Sequence, residues 1–191
     1  FIPLWGRYGI KALGVLSAAY VISAPWFYAV FIHFIGEKKE MLPASAWQRI
    51  EIWSLTIEAI EKKLMFGWGL DAVRSFTGKF DEGAWEGFHK FPNHPHNNLL
   101  HVWLETGYVG AILVSLALLL AAWRIPSRET IGNGAYSAVC GLWVAFLVVC
   151  SFSYSLWNEW WWSMVALCFA IAILIMRSGT RESVALEGKR Q

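Results

Sequence analysis

The feature that most constrains this chain is its series of long apolar runs. A helix needs about 20 predominantly apolar residues to cross the hydrocarbon core of a bilayer. The stretch 12–32 meets that length without a charge, and Pro25 inside it marks an expected kink. Residues 99–123, 135–157 and 160–176 follow, the last short enough to need its flanks. Composition agrees: 57% of residues are hydrophobic and 16% charged, against roughly 25% charged in soluble domains. The 13 Trp suit a membrane–water interface. The chain therefore reads as an all-α integral membrane protein with four transmembrane helices. A net charge of +2 with no basic face excludes nucleic acid as an expected partner.

Charge placement orients the spans. Arg7 and Lys11 precede the first, Arg124 and Arg128 follow the second, and Arg177, Arg181, Lys189 and Arg190 follow the fourth. The turn Asn158-Glu159 between the last two spans carries neither Lys nor Arg. All the basic flanks then fall on one side, which the positive-inside bias makes cytoplasmic. The expected organisation is a flank and span over 1–35, an external segment over 36–98, a span over 99–123, a cytoplasmic loop over 124–134, a helical hairpin over 135–176 and a polar tail over 177–191. The chain starts at Phe1 without a signal-peptide pattern, so it reads as the later part of a longer membrane protein. Cys140, Cys150 and Cys168 lie in apolar runs without ligand spacing and read as packing residues.

The external segment has structure of its own. Ser45-Ala46-Trp47-Gln48 has the form of a capping box, which places a helix start at Ser45. Ile50, Trp53, Ile57, Ile60 and Leu64 then recur at helical spacing. The glycines of Phe66-Gly67-Trp68-Gly69 act as a stop. The result is an amphipathic helix over 45–65, able to lie on the bilayer or to pack over the spans. Residues 71–92, irregular and rich in glycine and aromatics, suit an ordered loop.

Titratable chemistry concentrates where this loop meets the second span. In His94-Pro95-His96-Asn97, His94 is placed to cap a helix and Pro95 to occupy its first position. Gly107 and Gly110 lie eleven and fourteen residues after His96, about three and four helical turns. His96, Leu100, Trp103, Gly107, Gly110 and Val114 are therefore expected to share one face, where the small glycines admit a neighbouring helix. That mounts an imidazole at the rim of a bundle as a general base able to titrate near neutral pH. A polar cap at the interface is the plainer alternative. A zinc-type site with His89 or His101 as third ligand is another, disfavoured by the missing fourth ligand. His101 reads as packing. Asn97 could bond a substrate hydroxyl or the neighbouring loop. Glu105, about ten residues deep, is costly there unless paired, and a structural pairing is expected. Arg49, in the first turns of the amphipathic helix, could hold an anion by bidentate bonding, or be a surface arginine. Arg74 could reach the same external cleft, with Lys79 and Lys90 as weaker candidates. No Walker-type loop is present, so ATP hydrolysis is not indicated.

These residues resemble a known family. His96-Asn97, nine intervening residues, then Gly107-Tyr108-Val109-Gly110 is similar to the signature of the O-antigen ligase superfamily, which includes O-antigen polymerases and some protein O-oligosaccharyltransferases. Upstream, Arg49 to Trp53 and "LMFGWG" (64–69) match as well, so the resemblance covers roughly 49–114 with spans on either side. It implies a GT-C-like polytopic helical bundle in the bacterial inner membrane. It implies transfer of a glycan from a polyprenyl (undecaprenyl) diphosphate carrier on the periplasmic side, without metal or other cofactor. His96 would deprotonate the acceptor hydroxyl, of lipid A-core or another glycan, while Arg49, and Arg74 less securely, hold the diphosphate; His94, Asn97 and Glu105 would support them. Family members carry more spans than four, so this chain looks like the C-terminal part, with partner spans of the same protein absent. Ligase and polymerase share a donor, and no acceptor-specific motif separates them. A lipid or polysaccharide transporter is the rival from another class, and it would show inverted repeats or charges along several spans.

Overall fold

The structure, a computed structural model, describes residues 3–36, 41–76, 94–152 and 155–188. Six α-helices follow one another: α1 (Pro3–Gly36), α2 (Ala44–Lys62), α3 (Asn98–Arg124), α4 (Arg128–Ile131), α5 (Asn133–Phe152) and α6 (Glu159–Gly188), with a 3-10 turn at Ala72–Ser75. There are no strands among the described residues. Helices α1, α3, α5 and α6 are each long and apolar enough to cross a membrane. Their outward faces carry exposed Leu, Ile, Val, Phe and Trp, as lipid contact demands.

The pairing of α1 with α3 is the backbone of the fold, and Pro25 explains part of it. Proline has no N–H, so the carbonyl four residues earlier, at Val21, loses its helical partner. The buried indole Nε1–H of Trp103 on α3 donates to that carbonyl at 2.7 Å. A second bond runs from Ser115 Oγ to the Ala18 carbonyl at 3.2 Å. Further along, Gly14 sits so close to Ala122 that a side chain there would collide with it. The α5 helix joins through Trp143 Nε1, which donates to Ser17 Oγ at 2.9 Å.

Helix α2 does not lie flat. Its Ile50, Trp53, Ile57 and Ile60 are buried, and they pack with α1 and the first turns of α3. Trp53 touches Pro95, while Leu64 touches Tyr108, so α2 runs beside α3 in the same direction. Trp53 also meets Tyr28 and Phe31 of α1 and Phe152 of α5, at ring separations of 5.0, 6.2 and 6.1 Å.

Several boundaries differ from the sequence reading. The α2 helix begins at Ala44 behind Pro43, and no side chain caps it, so the Ser45 capping box does not form. Proline's preset φ, here −56°, already starts the turn. The third span ends at Phe152, and residues 155–158 make the turn into α6. The loop 124–134 contains the one-turn α4. The tail expected from 177 onward stays helical to Gly188, its Gly179 packed tightly against the Ile131 carbonyl and Ala135. Of the expected loop 71–92, residues 77–92 lie outside the described residues, and with them Lys79, His89 and Lys90.

Candidate active site

His96 is not on a helix. Helix α3 starts at Asn98, and its N-cap is Asn97, whose Oδ1 accepts from the backbone N–H groups of Leu99 and Leu100, both at 3.0 Å. Neither His94 nor Pro95 takes the capping positions expected of them. The short Asn side chain reaches the exposed amides of the first turn better than an imidazole does. His96 stands in the preceding turn with φ +53°, in the left-handed region. That conformation costs about 1–3 kcal/mol for a residue with a side chain and needs a surrounding that enforces it.

The enforcement is visible. Trp53 Nε1–H donates to the Pro95 carbonyl at 2.9 Å, tying the turn to α2. The His96 backbone N–H donates to His94 Nδ1 at 3.3 Å. The His94 and His96 rings then meet edge-on, 4.1 Å between centroids and 74° between planes. Because His94 Nδ1 accepts, His94 is neutral with its proton on Nε2. Burial, then the neighbouring rings of His96 and His101, push its pKa down to about 4. His96 is also held below the ordinary imidazole value, first by burial and second by the positive charge of Arg49. Arg49, half-buried on α2, makes no ion pair or hydrogen bond among the described residues. The structure thus brings His94, His96 and Arg49 together at the mouth of α3.

Asn97 does not face that mouth. It is fully buried, its oxygen is used in the cap, and its Nδ2 has no hydrogen-bond partner among the described residues. Arg74 is placed elsewhere too. It is exposed and paired with Asp71, Nε to Oδ2 at 2.9 Å, with no contact to His96 or Arg49 among the described residues. Asp71 itself takes φ +58°, which turns the chain into the 3-10 segment.

Helix α3 is broken at Gly107, where φ is +59° and ψ −152°. His96, Gly107 and Gly110 therefore do not share one continuous helical face. The break has a partner: the 64–69 segment crosses α3 at this level, about 14 Å along it from Asn98 by helical rise. Tyr108 N–H donates to the Leu64 carbonyl at 2.8 Å and Val109 N–H to that of Met65 at 3.3 Å. In return, Trp68 N–H donates to the Leu104 carbonyl at 2.8 Å and Gly69 N–H to that of Glu105 at 3.0 Å. Four backbone groups released by the kink are satisfied by this exchange, as burial in an apolar setting requires. Only glycine permits it: a Cβ on Gly107 would fall onto the Leu64 carbonyl and Met65 backbone, and one on Gly67 onto the backbone of Glu105 and Thr106. Gly107 thus packs against the α2 exit loop rather than another span. Gly110 faces Thr106 of its own helix.

Glu105 is nearly inaccessible and paired. Its Oε1 meets His101 Nε2 at 3.0 Å and accepts from Trp157 Nε1 at 2.9 Å. His101 Nδ1 accepts from the Leu156 N–H at 3.4 Å, so its proton sits on Nε2 and points at the carboxylate. The cluster ties the α5–α6 turn to α3. By sequence Trp53 belongs to the apolar stripe of α2 and Trp157 to the interfacial tryptophans. Their indole N–H groups, which need acceptors when buried, were the signal that each anchors something.

Among the described residues, no group of three or more His, Cys, Asp or Glu could hold a metal ion. The arrangement offers instead a neutral imidazole beside an unneutralised guanidinium, at the mouth of a multi-pass membrane bundle.

The comparisons with known proteins agree with that class. The profile of the O-Antigen ligase family (Wzy_C) matches residues 2–115, which include α1, α2, the histidine turn and the Gly107 crossing. The chain belongs to this family. It is similar to proteins that carry the name "Putative polysaccharide ligase" in three Rickettsia species. Identity is 29% over 130 residues in Rickettsia conorii, 26% over 132 residues in Rickettsia typhi and 29% over 121 residues in Rickettsia bellii. Those alignments cover 66%, 68% and 61% of this chain and 31%, 32% and 29% of the relatives. The chain thus spans about a third of the length of the curated relatives it matches. No solved structure matches it.

Proposed function

We propose that the protein transfers a glycan from a polyprenyl diphosphate carrier to an acceptor hydroxyl at the periplasmic face of the bacterial inner membrane. Ligation onto lipid A-core is the reading preferred. The observation that carries it is that His96, in the turn before α3, stands within electrostatic range of Arg49, whose charge adds to burial in keeping it neutral. A general base must be unprotonated at working pH, and both burial and Arg49 keep His96 so. His96 takes the acceptor hydroxyl proton as that oxygen bonds to the anomeric carbon. The bond from that carbon to the diphosphate oxygen breaks, and the electron pair leaves with the carrier. Arg49, free of a carboxylate among the described residues, offsets the charge that gathers on the diphosphate. The basic flanks at the other end of the spans support the periplasmic placement of His96. The names of the Rickettsia relatives support a polysaccharide as the transferred group. Arg74, occupied by Asp71, takes no part in this reading.

The full-length protein with His96→Ala is expected to insert in the membrane and lose transfer in a lipid-linked glycan assay by about 100-fold or more. Normal transfer by that variant would remove the base. Arg49→Ala is expected to raise the donor KM more than Arg49→Lys does. On gene deletion, accumulation of long carrier-linked chains identifies a ligase, and accumulation of single repeat units a polymerase.

A further inference from the structure

At the far end of α3 from His96, an apolar groove of about 240 Å³ opens between α3, α5 and α6. Its walls include Leu118, Leu142, Phe146, Phe169 and Ile173, and Arg124 lines its mouth. The groove runs along α6 from Val165 to Met176, about 16 Å by helical rise. Its inner end is closed by the packing of Cys150, Trp161 and Val165, with Phe146 stacked on Trp161 at 6.3 Å.

We infer that this groove holds one hydrocarbon chain of an anionic phospholipid, with the headgroup at Arg124. Length fits the occupant: at about half the 30 Å of the hydrocarbon core, the groove has the depth of one leaflet. Chemistry selects the headgroup. Among the described residues Arg124 has no hydrogen bond or ion pair. Of the cations at this end, which include Arg177 and Arg181 on α6, Arg124 is the one that lines the groove, while Lys11 lies over the Trp123 ring at 5.9 Å and Arg128 bonds to Asn133. An exposed guanidinium at the rim of an apolar slot matches a phosphate on an acyl chain, and such a pairing favours anionic over zwitterionic lipid. The site is separate from the His96 mouth and does not depend on the reaction proposed there.

Native mass spectrometry of the full-length protein, released from nanodiscs of mixed phosphatidylglycerol and phosphatidylcholine, tests this. One phosphatidylglycerol is expected to stay bound preferentially. Arg124→Gln should lower that preference about five-fold, the worth of one cation at a membrane surface, and Arg124→Lys should keep most of it. Cys168→Trp, or the milder Ala172→Leu, should fill the slot and reduce retention of both lipids. Equal retention of the two lipids by the wild type overturns the headgroup assignment. Retention unchanged in both filling variants overturns the groove.

Discussion

The two ends of α3 are held in different ways. At the Asn98 end directional bonds dominate: the Asn97 cap, the Trp53–Pro95 bond, four backbone bonds to the 64–69 loop, and the His101–Glu105–Trp157 cluster. Toward the Arg124 end α3 has one side-chain bond, Ser115 Oγ to the Ala18 carbonyl, and contact is otherwise apolar, through the close approach of Ala122 to Gly14 and across the groove toward α5 and α6. Large apolar side chains do not distinguish a helix neighbour from a lipid tail, so the contacts across the groove drive little association within a bilayer. Hydrogen bonds and close backbone crossings do fix position. Helix α3 therefore makes most of its directional interactions at the end where His96 and Arg49 lie, and most of its apolar packing toward the opposite end.

The largest effect that would break this contrast is at the crossing. Gly107→Ala should destabilise the protein by about 4 kcal/mol, from left-handed strain plus the loss of two backbone bonds. Gly141→Ala in α5, where a Cβ meets nothing within 4 Å, should be neutral or slightly stabilising. Thermal unfolding in detergent compares the two, and equal behaviour would dissolve the distinction between the ends. Next is Glu105→Ala, which leaves the buried His101 N–H and the Trp157 indole N–H without their acceptor and should cost about 2–4 kcal/mol. Glu105→Gln keeps an acceptor and should cost less in the same measurement.

The contrast between ends also has a pH signature. Because the folded protein holds His96 below an ordinary imidazole, the acid limb of kcat/KM should lie under about 6.5. Arg49→Gln removes the second cause of that depression, so the limb should move up, while burial keeps it short of the free value. The neutral His94 and His96 also bear on stability. The unfolded chain takes up protons first, so their contribution is complete above about pH 6.5. It declines as pH falls toward the folded value, about 4 for His94. The smallest effect is expected in the groove. Leu142→Ala there should cost under about 1 kcal/mol, against about 2–5 kcal/mol for Leu104→Ala, whose side chain is 0% exposed.

The spans and the stripe of α2 were legible because each is a one-dimensional pattern: a run of about 20 apolar residues, or apolar residues every three to four positions. His96 and Arg49 were legible as candidates, polar residues out of place beside a membrane helix, and the family resemblance already joined them in one site. The backbone path between His96 and the glycines was not legible. Counting eleven residues from His96 to Gly107 presumes a helix throughout, and two positive φ values, at His96 and Gly107, interrupt it. The expected pairing of Glu105 is met by His101 and Trp157, the latter 52 residues away.

The amino-acid sequence by itself determined that the chain spans a membrane, where its helices run and which residue types gather at the mouth of α3, since hydropathy and periodicity are local properties. Only the tertiary structure decided that the two glycine motifs, around 67 and 107, interlock, and that Trp53 carries the histidine turn to Arg49. A backbone crossing depends on which carbonyls a kink leaves unpaired and on what approaches them from elsewhere in the chain, and no local pattern records that meeting.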